Sequence, residues 1–327
     1  MARRRYIQAV NDALYEEMER DEKIIVIGED VELAIFGDTR GLLERFGPER
    51  VRNTPICEAA MTGMALGLAA TGYRVVLHMM FSNFIYTGFD AIANQISKMR
   101  LMTGGQVSLP ITILAGYGGG ASNAAQHSDS AHPALMNLGG INVLMPSNSA
   151  DAKGLLKSAL RSPDPCFFLE ASARGGSMGE LPDEDYVIPF GKAAVSRVGA
   201  DISIVTIGSM VNVCLEAAQT LAAQGIEAEV VDLRTLVPLD EQAIIDTIAK
   251  TGHLVVVDES RDRGGAAGFI AAIASDKGFS FLKAPIKRVN IPNVAIPYAP
   301  VAEAAVLPNA HKVVAAAMGI LRKGATQ

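Results

Sequence analysis

The sequence predicts an α/β protein of two doubly wound domains. Buried strand patterns alternate with helical patterns along the chain, which is typical of parallel sheets with helices on both faces. A second alternating series follows a polar stretch rich in Gly and Pro, and 327 residues suffice for two domains of ordinary size. We expect a first domain over residues 1–180, a linker over 181–200 and a second domain over 201–327.

The composition excludes several classes of protein. A net charge of -6 argues against nucleic acid or an anionic membrane as the main partner. The basic cluster Arg3–Arg5 precedes an amphipathic helical pattern rather than an apolar signal core, and the apolar runs contain Gly and Thr, so we expect no secretory signal and no spanning helix. The three cysteines are scattered, which favours reduced thiols and a cytoplasmic protein.

The first domain is predicted to alternate strands with helices, with acids following its first strand. Glu29 and Asp30 should therefore lie at the carboxyl end of the sheet, where α/β proteins bind ligands, although a solvated turn is the ordinary alternative. The predicted strands are 23–28, 72–77, 111–115, 141–145 and 166–170; the predicted helices are 6–19, a short one within 31–52, one that ends near Ala70, 87–99 and 151–161.

The second domain repeats the pattern after an irregular stretch over 171–198. Asp240 is predicted to cap a helix. Asp258 and Glu259 end a strand, and Arg261-Asp262-Arg263-Gly264-Gly265 then opens a helix, a segment that suits either an anion site or an interface loop. The predicted strands are 202–207, 228–232 and 253–258, and the predicted helices are 211–224, 240–251, 264–276 and 309–322, with 285–300 extended.

Glu58 is the most informative single residue. It is a lone carboxylate in the first turn of a helix otherwise built from Ala, Gly, Leu, Met and Thr. An acid entering an apolar surface is a candidate for proton chemistry. Alternatively, Glu58 only interacts favourably with the partial positive charge at the helix N-terminus, because such a carboxylate would occupy the same position in the sequence.

Two features after the third long strand bear on a site. The run Gly116-Tyr117-Gly118-Gly119-Gly120 lacks the register of a phosphate-binding loop, so a flexible hinge is expected. His127 lies in a loop of small polar residues, which suits a proton donor better than a core position would. The histidines lack metal-ligand spacing, so we expect no zinc site.

The order and spacing of eight short motifs resemble a known family from end to end. That family is the beta subunit of the decarboxylating component of 2-oxo acid dehydrogenase complexes of the pyruvate, branched-chain and acetoin types. The motifs are Gly28-Glu29-Asp30, Arg52-Asn53-Thr54-Pro55-Ile56-Cys57-Glu58, Phe81-Ser82-Asn83-Phe84, Gly104-Gly105-Gln106, Gln126-His127-Ser128, Asp151-Ala152-Lys153-Gly154-Leu155, Asp232-Leu233-Arg234-Thr235-Leu236 and Pro238-Leu239-Asp240.

The resemblance implies a thiamine diphosphate enzyme with transketolase-like domains, a pyrimidine-binding one followed by a C-terminal one. Glu58 matches the glutamate that binds the aminopyrimidine ring nitrogen, and Glu29 matches a residue that supports it. Phe84 and Ile56 match residues that pack against the pyrimidine. His127 matches a histidine near the reactive carbon, a proton donor or oxyanion partner.

The resemblance also implies partners. The sequence has no Gly-Asp-Gly stretch for Mg²⁺ and the diphosphate, only Gly37-Asp38-Thr39, so that half of the site is expected on an alpha subunit, in a heterotetramer of two alpha and two beta chains. A lipoyl-bearing acyltransferase or carrier domain would accept the acyl group. Ile111, Ala159 and Asp164 fall where the family holds a potassium ion, although its polar positions have changed.

Departures around the substrate pocket leave three hypotheses. His78 stands where the family has an acid, Leu114 where an Arg is common, and Asn137 where a second His is usual. The first hypothesis is a pyruvate dehydrogenase-like beta subunit acting on a 2-oxo acid. The second is the C-terminal half of a split transketolase-like enzyme that moves a two-carbon ketol unit. The third is a non-catalytic scaffold.

Overall fold

The computed structural model describes residues 2–324 and divides the chain into two compact units. Within the described residues, the first unit covers residues 2–117 and Ala134–Phe190, while the second contains Gly118–Pro133 and residues 191–324. Residues 118–133, which we expected in the first domain, therefore belong to the second unit. The last three residues of the predicted second domain lie outside the described range.

Strands and helices alternate in both units, which confirms the predicted α/β class. The strands are β1 (Ala2–Arg5), β2 (Ile24–Gly28), β3 (Val51–Asn53), β4 (Arg74–Phe81), β5 (Ile111–Tyr117), β6 (Asn142–Leu144), β7 (Cys166–Ala171), β8 (Met178–Leu181), β9 (Ala194–Arg197), β10 (Ile202–Thr206), β11 (Ala228–Asp232), β12 (Thr235–Val237), β13 (Leu254–Arg261) and β14 (Lys287–Ile291). The α-helices are α1 (Tyr6–Arg20), α2 (Leu42–Phe46), α3 (Glu58–Ala70), α4 (Met99–Met102), α5 (His132–Met136), α6 (Ser149–Arg161), α7 (Met210–Ala222), α8 (Glu241–Thr251), α9 (Ala266–Lys277), α10 (Pro300–Val306) and α11 (Ala310–Gly324).

The sheet of the first unit contains six parallel strands in the order β6-β7-β5-β4-β2-β3. Side chains alternate across each strand, so Ile24 and Val26 of β2 pack in one hydrophobic cluster with residues of α1 and α6. Ile25 and Ile27 are also buried and point to the opposite face. Burial on both faces makes β2 read as a continuous apolar run.

The second unit has its own sheet, in the order β14-β13-β10-β11-β9. Its strands are parallel except β9, which runs antiparallel to β11. Residues of α7 and α11 pack with β10, β11 and β13 in a second hydrophobic cluster. The predicted helix cap is present, since the Asp240 side chain accepts a hydrogen bond from the Ala243 N–H at 3.2 Å.

Three predicted segments differ from the structure. The helix expected over 87–99 is a π-helix over Ala91–Ile96 followed by α4, and the Ser97 N–H donates to the Ile92 carbonyl five residues back. The polar stretch 171–198 contains β8, which pairs antiparallel with β1, and also β9. The extended stretch 285–300 contains β14, and α10 begins at its end. These short strands lack apolar runs, so their pairing is set by tertiary contacts.

By length and hydropathy alone, one segment of the described chain, Pro300–Leu321, qualifies as a candidate membrane span, contrary to our expectation. The structure divides it into α10 and α11, which are separated by Leu307, Pro308 and Asn309. Val313 and Ala317 of α11 are buried in the hydrophobic cluster of the second unit. This packing accounts for the apolar residues on one face of α11.

The packing of α6 yields a stability prediction. A methyl group at Gly154 would lie 2.7 Å from Tyr186 Cε2 and 2.8 Å from Ile188 Cγ1. We expect Gly154→Ala to lower the free energy of unfolding by about 1–3 kcal/mol through overpacking. Gly319→Ala in α11 is the matched control, because nothing lies within 4 Å of its Cβ position, and it should gain about 0.5–1 kcal/mol. Urea unfolding midpoints that shift in the same direction in both variants would contradict this.

Candidate active site

Three strands of the first unit bring the predicted motifs together at one edge of the sheet. Gly28 at the end of β2 pairs in register with Asn53 of β3 and with His78 of β4. The Thr54 N–H donates to the Gly28 carbonyl at 2.9 Å. Because parallel strands end at the same edge, the residues that follow each of them converge there.

Glu58 begins α3, as the sequence predicted. The helix has no side-chain cap at Cys57, and the Thr62 hydroxyl donates to the Glu58 carbonyl at 2.7 Å. Gly88 packs against this first turn, since a methyl group there would lie 2.5 Å from Thr62 Oγ1 and 3.0 Å from the Glu58 carbonyl oxygen. The Glu58 side chain itself is partly exposed within this chain.

Glu29 lies close to Glu58 and is the more buried of the two acids. Its side chain is 6% exposed, and its Oε1 has no hydrogen-bond partner among the described residues. Burial raises the pKa of Glu29, and the charges of Glu58 and then Asp30 raise it further, while His78 lowers it. The structure thus brings two of the predicted site residues together.

A row of aromatic side chains extends from Phe36 and His78, which line a recess together with Glu29. Phe84 makes an edge-to-face contact with Phe81, with ring centroids 5.7 Å apart, and Phe81 makes the same kind of contact with Phe36 at 5.5 Å. Phe36 in turn stacks on His78 at 5.9 Å. Ile56 is 82% exposed, so the described part of this chain leaves most of it uncovered.

Backbone strain marks the same edge of the sheet. Asp30 and Met80 both have positive φ angles, 52° and 54°. Such residues cost about 1–3 kcal/mol each and concentrate at functional sites. Both line a small recess that also contains Glu29, Phe36 and His78.

The loop that carries His127 lies in the second unit, where buried acids anchor it. Glu259 accepts a hydrogen bond from the Gly119 N–H at 2.7 Å and another from the Ser209 hydroxyl. Glu303 accepts from the Gly120 N–H at 2.9 Å and from the Ser122 N–H at 3.1 Å. The glycine run that we expected to be a flexible hinge is therefore held at two consecutive amides.

The other end of this loop is anchored to the same strand, β13. His132 Nε2 lies 3.0 Å from Asp258 Oδ1, and both side chains are buried. Asp129 pairs with Arg261 at 2.8 Å. Because β13 extends to Arg261 rather than ending at residue 258, Asp258 and Glu259 lie within a strand and accept protein donors.

His127 lies between these anchors and is partly exposed. Its backbone N–H donates to the Ala124 carbonyl at 3.4 Å. Ser122 and Ala124 have positive φ angles of 57° and 60°. The anchored, locally strained loop thus holds a half-exposed imidazole.

The residues predicted to hold a monovalent cation have other contacts. The Asp164 carboxylate pairs with Arg100, and the Ala159 carbonyl accepts the Ser162 N–H at 3.1 Å. Ile111 begins β5. Residues 2–324 contain no group of three or more His, Cys, Asp or Glu that could hold a metal ion. A monovalent cation held largely by backbone carbonyls would need no such group, so the cation site stays a prediction.

The sequence does not predict the anchoring contacts of Glu259 and Glu303, nor the ion pair between Asp38 and His78, in which His78 Nε2 lies 2.7 Å from Asp38 Oδ2. Their partners lie far away in the chain, and the acids accept backbone amides or a histidine, contacts that leave no local motif. A signal was present only at Asp258-Glu259, where two acids follow a buried strand.

Comparisons with known proteins identify both units. Residues 3–174 match the pyrimidine-binding domain of transketolase, and residues 191–313 match the transketolase C-terminal domain. The chain is 28% identical, with a TM-score of 0.81, to a solved structure described as the inactive beta4 tetramer of a split-gene transketolase; the match covers 96% of this chain and 97% of that one. The class is therefore that of the transketolase-like, thiamine diphosphate-dependent enzymes.

Relatives from Bacillus subtilis define the family within this class. The chain is 44% identical to a 2-oxoisovalerate dehydrogenase subunit beta, with 95% of this chain and 96% of the relative covered. It is 42% identical to the beta subunit of an acetoin:2,6-dichlorophenolindophenol oxidoreductase, with 96% of each covered. It is also 42% identical to the beta subunit of the pyruvate dehydrogenase E1 component, with 98% and 99% covered. The chain belongs to this family of beta subunits of 2-oxo acid dehydrogenases, which confirms the predicted family and enzyme class.

Glu259 yields a prediction about pH and stability. Burial raises its pKa from the ordinary value of 4.5 to about 7, with the hydrogen bonds from Ser209 and Gly119 acting in the opposite direction. Between these two values the folded chain binds a proton that the unfolded chain has released, so this group's contribution to stability falls as pH rises. Glu259→Gln removes the ionisation.

We expect the Tm of the variant to rise relative to the wild type as pH increases from about 5 to about 8. Glu170, whose pKa is also raised by burial, to about 8, is present in both proteins and so cancels in the difference. Thermal unfolding followed by circular dichroism measures this difference in Tm between the variant and the wild type. A Tm difference independent of pH would show that Glu259 ionises normally.

Proposed function

We propose that this chain acts with an alpha subunit to decarboxylate a 2-oxo acid and pass the acyl unit to a lipoyl carrier, in the cytoplasm. The observation that carries the proposal is the carboxyl pair of Glu29, directly after β2, and Glu58, at the start of α3, within the segment that matches the pyrimidine-binding domain. The relatives named above support the reaction class.

The residues at this edge suit an aminopyrimidine. Glu29 Oε1, a buried carboxylate oxygen without a hydrogen-bond partner in residues 2–324, needs a polar group beside it. Glu58 supplies a second carboxyl, and Phe84 and Ile56 supply apolar surface for a flat ring. Glu58 would hold the ring nitrogen of thiamine diphosphate, and Glu29 would support Glu58.

Thiamine diphosphate, when bound, supplies a carbon nucleophile for the substrate carbonyl and an electron sink for the bond to CO₂. The chain's own residues do the rest. Glu58 holds a proton at the ring nitrogen, which requires that water be excluded from the carboxyl. His127 is proposed to donate a proton or a hydrogen bond to the substrate oxygen.

Several features support a partner that completes the site. The only Gly-Asp pair in the sequence is Gly37-Asp38, and Asp38 is 2% exposed and paired with His78, so it is not free for Mg²⁺. Ile56 is exposed, and nothing lies within 4 Å of a Cβ at Gly63 or Gly67 on α3. We propose that an alpha subunit carries Mg²⁺ and the diphosphate and covers this surface, in a heterotetramer of two alpha and two beta chains.

The alternative is the C-terminal half of a split transketolase-like enzyme, favoured by the structural likeness to the split-gene protein. Both reactions need Glu58 and a partner, but only the first releases CO₂. The deciding experiment supplies the reconstituted enzyme with a panel of 2-oxo acids and, separately, with ketose phosphates. CO₂ release from a 2-oxo acid supports the main proposal, and turnover of ketose phosphates alone overturns it.

Replacing Glu58 tests whether the chain is catalytic or only a scaffold. We expect Glu58→Gln to lower CO₂ release by the reconstituted enzyme by about 10²–10⁴-fold, because the amide cannot exchange a proton with the ring nitrogen. Glu22→Gln on an exposed turn is the matched control and should retain full activity. Full activity of the Glu58 variant would revive the scaffold hypothesis.

The divided site predicts that the isolated chain is inactive and binds the cofactor weakly. Titration calorimetry of thiamine diphosphate with Mg²⁺ into this chain alone should give little heat, and the same titration after addition of the alpha subunit should give saturable binding. Tight, Mg²⁺-dependent binding to the isolated chain would place the diphosphate site here instead.

A further inference from the structure

A buried histidine lines the same recess as Glu29. The proposed roles of Glu29, Glu58 and His127 do not involve it. His78, on β4, is 5% exposed, and its Nε2 lies 2.7 Å from Asp38 Oδ2. Asp38 is itself 2% exposed. The pair is therefore screened from water on both sides, and its electrostatic influence extends further than that of a surface pair.

The backbone holds this pair close to Glu29. A Cβ at Gly28 would lie 2.5 Å from the His78 carbonyl oxygen and 2.8 Å from the His78 Cβ, so β2 and β4 touch here. Glu29 is the next residue. Glu29, Asp38 and His78 line the same small recess, together with the strained residues Asp30 and Met80.

The charges around the recess are unevenly distributed. His78 faces Asp38, Glu170 and Glu29, and Glu29 also faces Glu58 and Asp30. Burial lowers the pKa of His78, but the three carboxyls outweigh burial and raise it. Burial and the charge of Asp38 raise the pKa of Glu170 to about 8, against the influence of His78. Among these groups the imidazole is the one that can carry positive charge.

We propose that the Asp38–His78 pair is a positioning device for Glu29: Asp38 keeps His78 charged, and this charge keeps Glu29 ionised beside Glu58. The inference rests on the proposed function, because it assigns His78 a part in preparing the carboxyls that would hold the aminopyrimidine. His78 touches no reacting atom in this assignment and acts through Glu29.

A purely structural pair would behave differently. A buried ion pair is often no more stabilising than apolar side chains of the same volume, so stability alone is a weak reason to place one here. In the Asp38–His78 pair, His78 instead lies on β4, the strand next to the one that Glu29 follows, and Glu29 Oε1 has no hydrogen-bond partner among the described residues. There the charge of His78 can stabilise the ionised form of Glu29. Loss of that stabilisation has a pH signature, whereas loss of packing does not.

The test compares His78→Gln, Asp38→Asn and the double variant in the enzyme reconstituted with its alpha subunit. Removing the imidazole charge, directly or through its partner, should move the acidic limb of kcat/KM upward by about one pH unit. Below that limb the rate should fall about tenfold, and at higher pH it should return to the wild-type value, because Glu29 ionises there without help. The double variant should shift no further than either single variant, since both remove the same charge.

A second readout does not depend on turnover. The dissociation constant of thiamine diphosphate with Mg²⁺, measured by calorimetry from about pH 5.5 to about pH 8.5, should weaken on the acidic side with the same upward shift. His311→Gln, at an exposed position of α11, is the matched control and should leave both profiles unchanged. If His78→Gln does not assemble, Asp38→Asn keeps the imidazole ring and removes the partner that keeps it charged.

The outcomes separate this inference from the proposed function. Wild-type enzyme that neither binds thiamine diphosphate nor releases CO₂ would overturn the proposed function. Active wild-type enzyme whose variants show an unmoved acidic limb, or an equal loss at every pH, would leave that function standing and overturn the role of His78.

Discussion

The contact between Gly28 of β2 and His78 of β4 is the constraint on which the candidate site depends. Only a residue without a side chain allows the strands to approach so closely, since a Cβ at Gly28 would lie 2.5 Å from a carbonyl oxygen. The contact fixes the register that brings Glu29 and Asn53 to one edge of the sheet. Glu58 lies five residues after Asn53, at the start of α3, and its charge raises the pKa of Glu29.

Buried acids have a structural role in the second unit and a proposed binding role in the first. In the second unit, Glu259 and Glu303 accept backbone amides, so their oxygens are satisfied within the chain and hold a loop in place. In the first unit, one oxygen of Glu29 has no hydrogen-bond partner among the described residues. An acceptor left unpaired in a buried place is costly, which is why it indicates a binding role while the satisfied acids indicate a structural one.

The sequence predicted the fold class, the long strands and Glu58 at the first turn of its helix, because these depend on local periodicity and on motifs a few residues long. It did not predict the Asp38–His78 pair, whose members lie 40 positions apart in unremarkable surroundings. It also misread the Gly118–Gly120 run as a hinge, because the acids that hold its amides come from β13 and α10, more than a hundred residues away. Long-range hydrogen bonds to backbone groups leave no pattern in the local sequence.

The exposure of Glu58 and Ile56 links the geometry to the division of the enzyme into subunits. A carboxyl that holds a proton at a ring nitrogen works best where water cannot compete, yet in this chain Glu58 is partly exposed and Ile56 is 82% exposed. By contrast, three residues near Glu58 are buried within this chain alone: Glu29, Asp38 and His78. They are shielded from water without a second subunit. The chain therefore sets the charge of the site from within, whereas exclusion of water requires a second surface. If assembly with a partner supplies that surface, the proton chemistry begins only when the subunits meet.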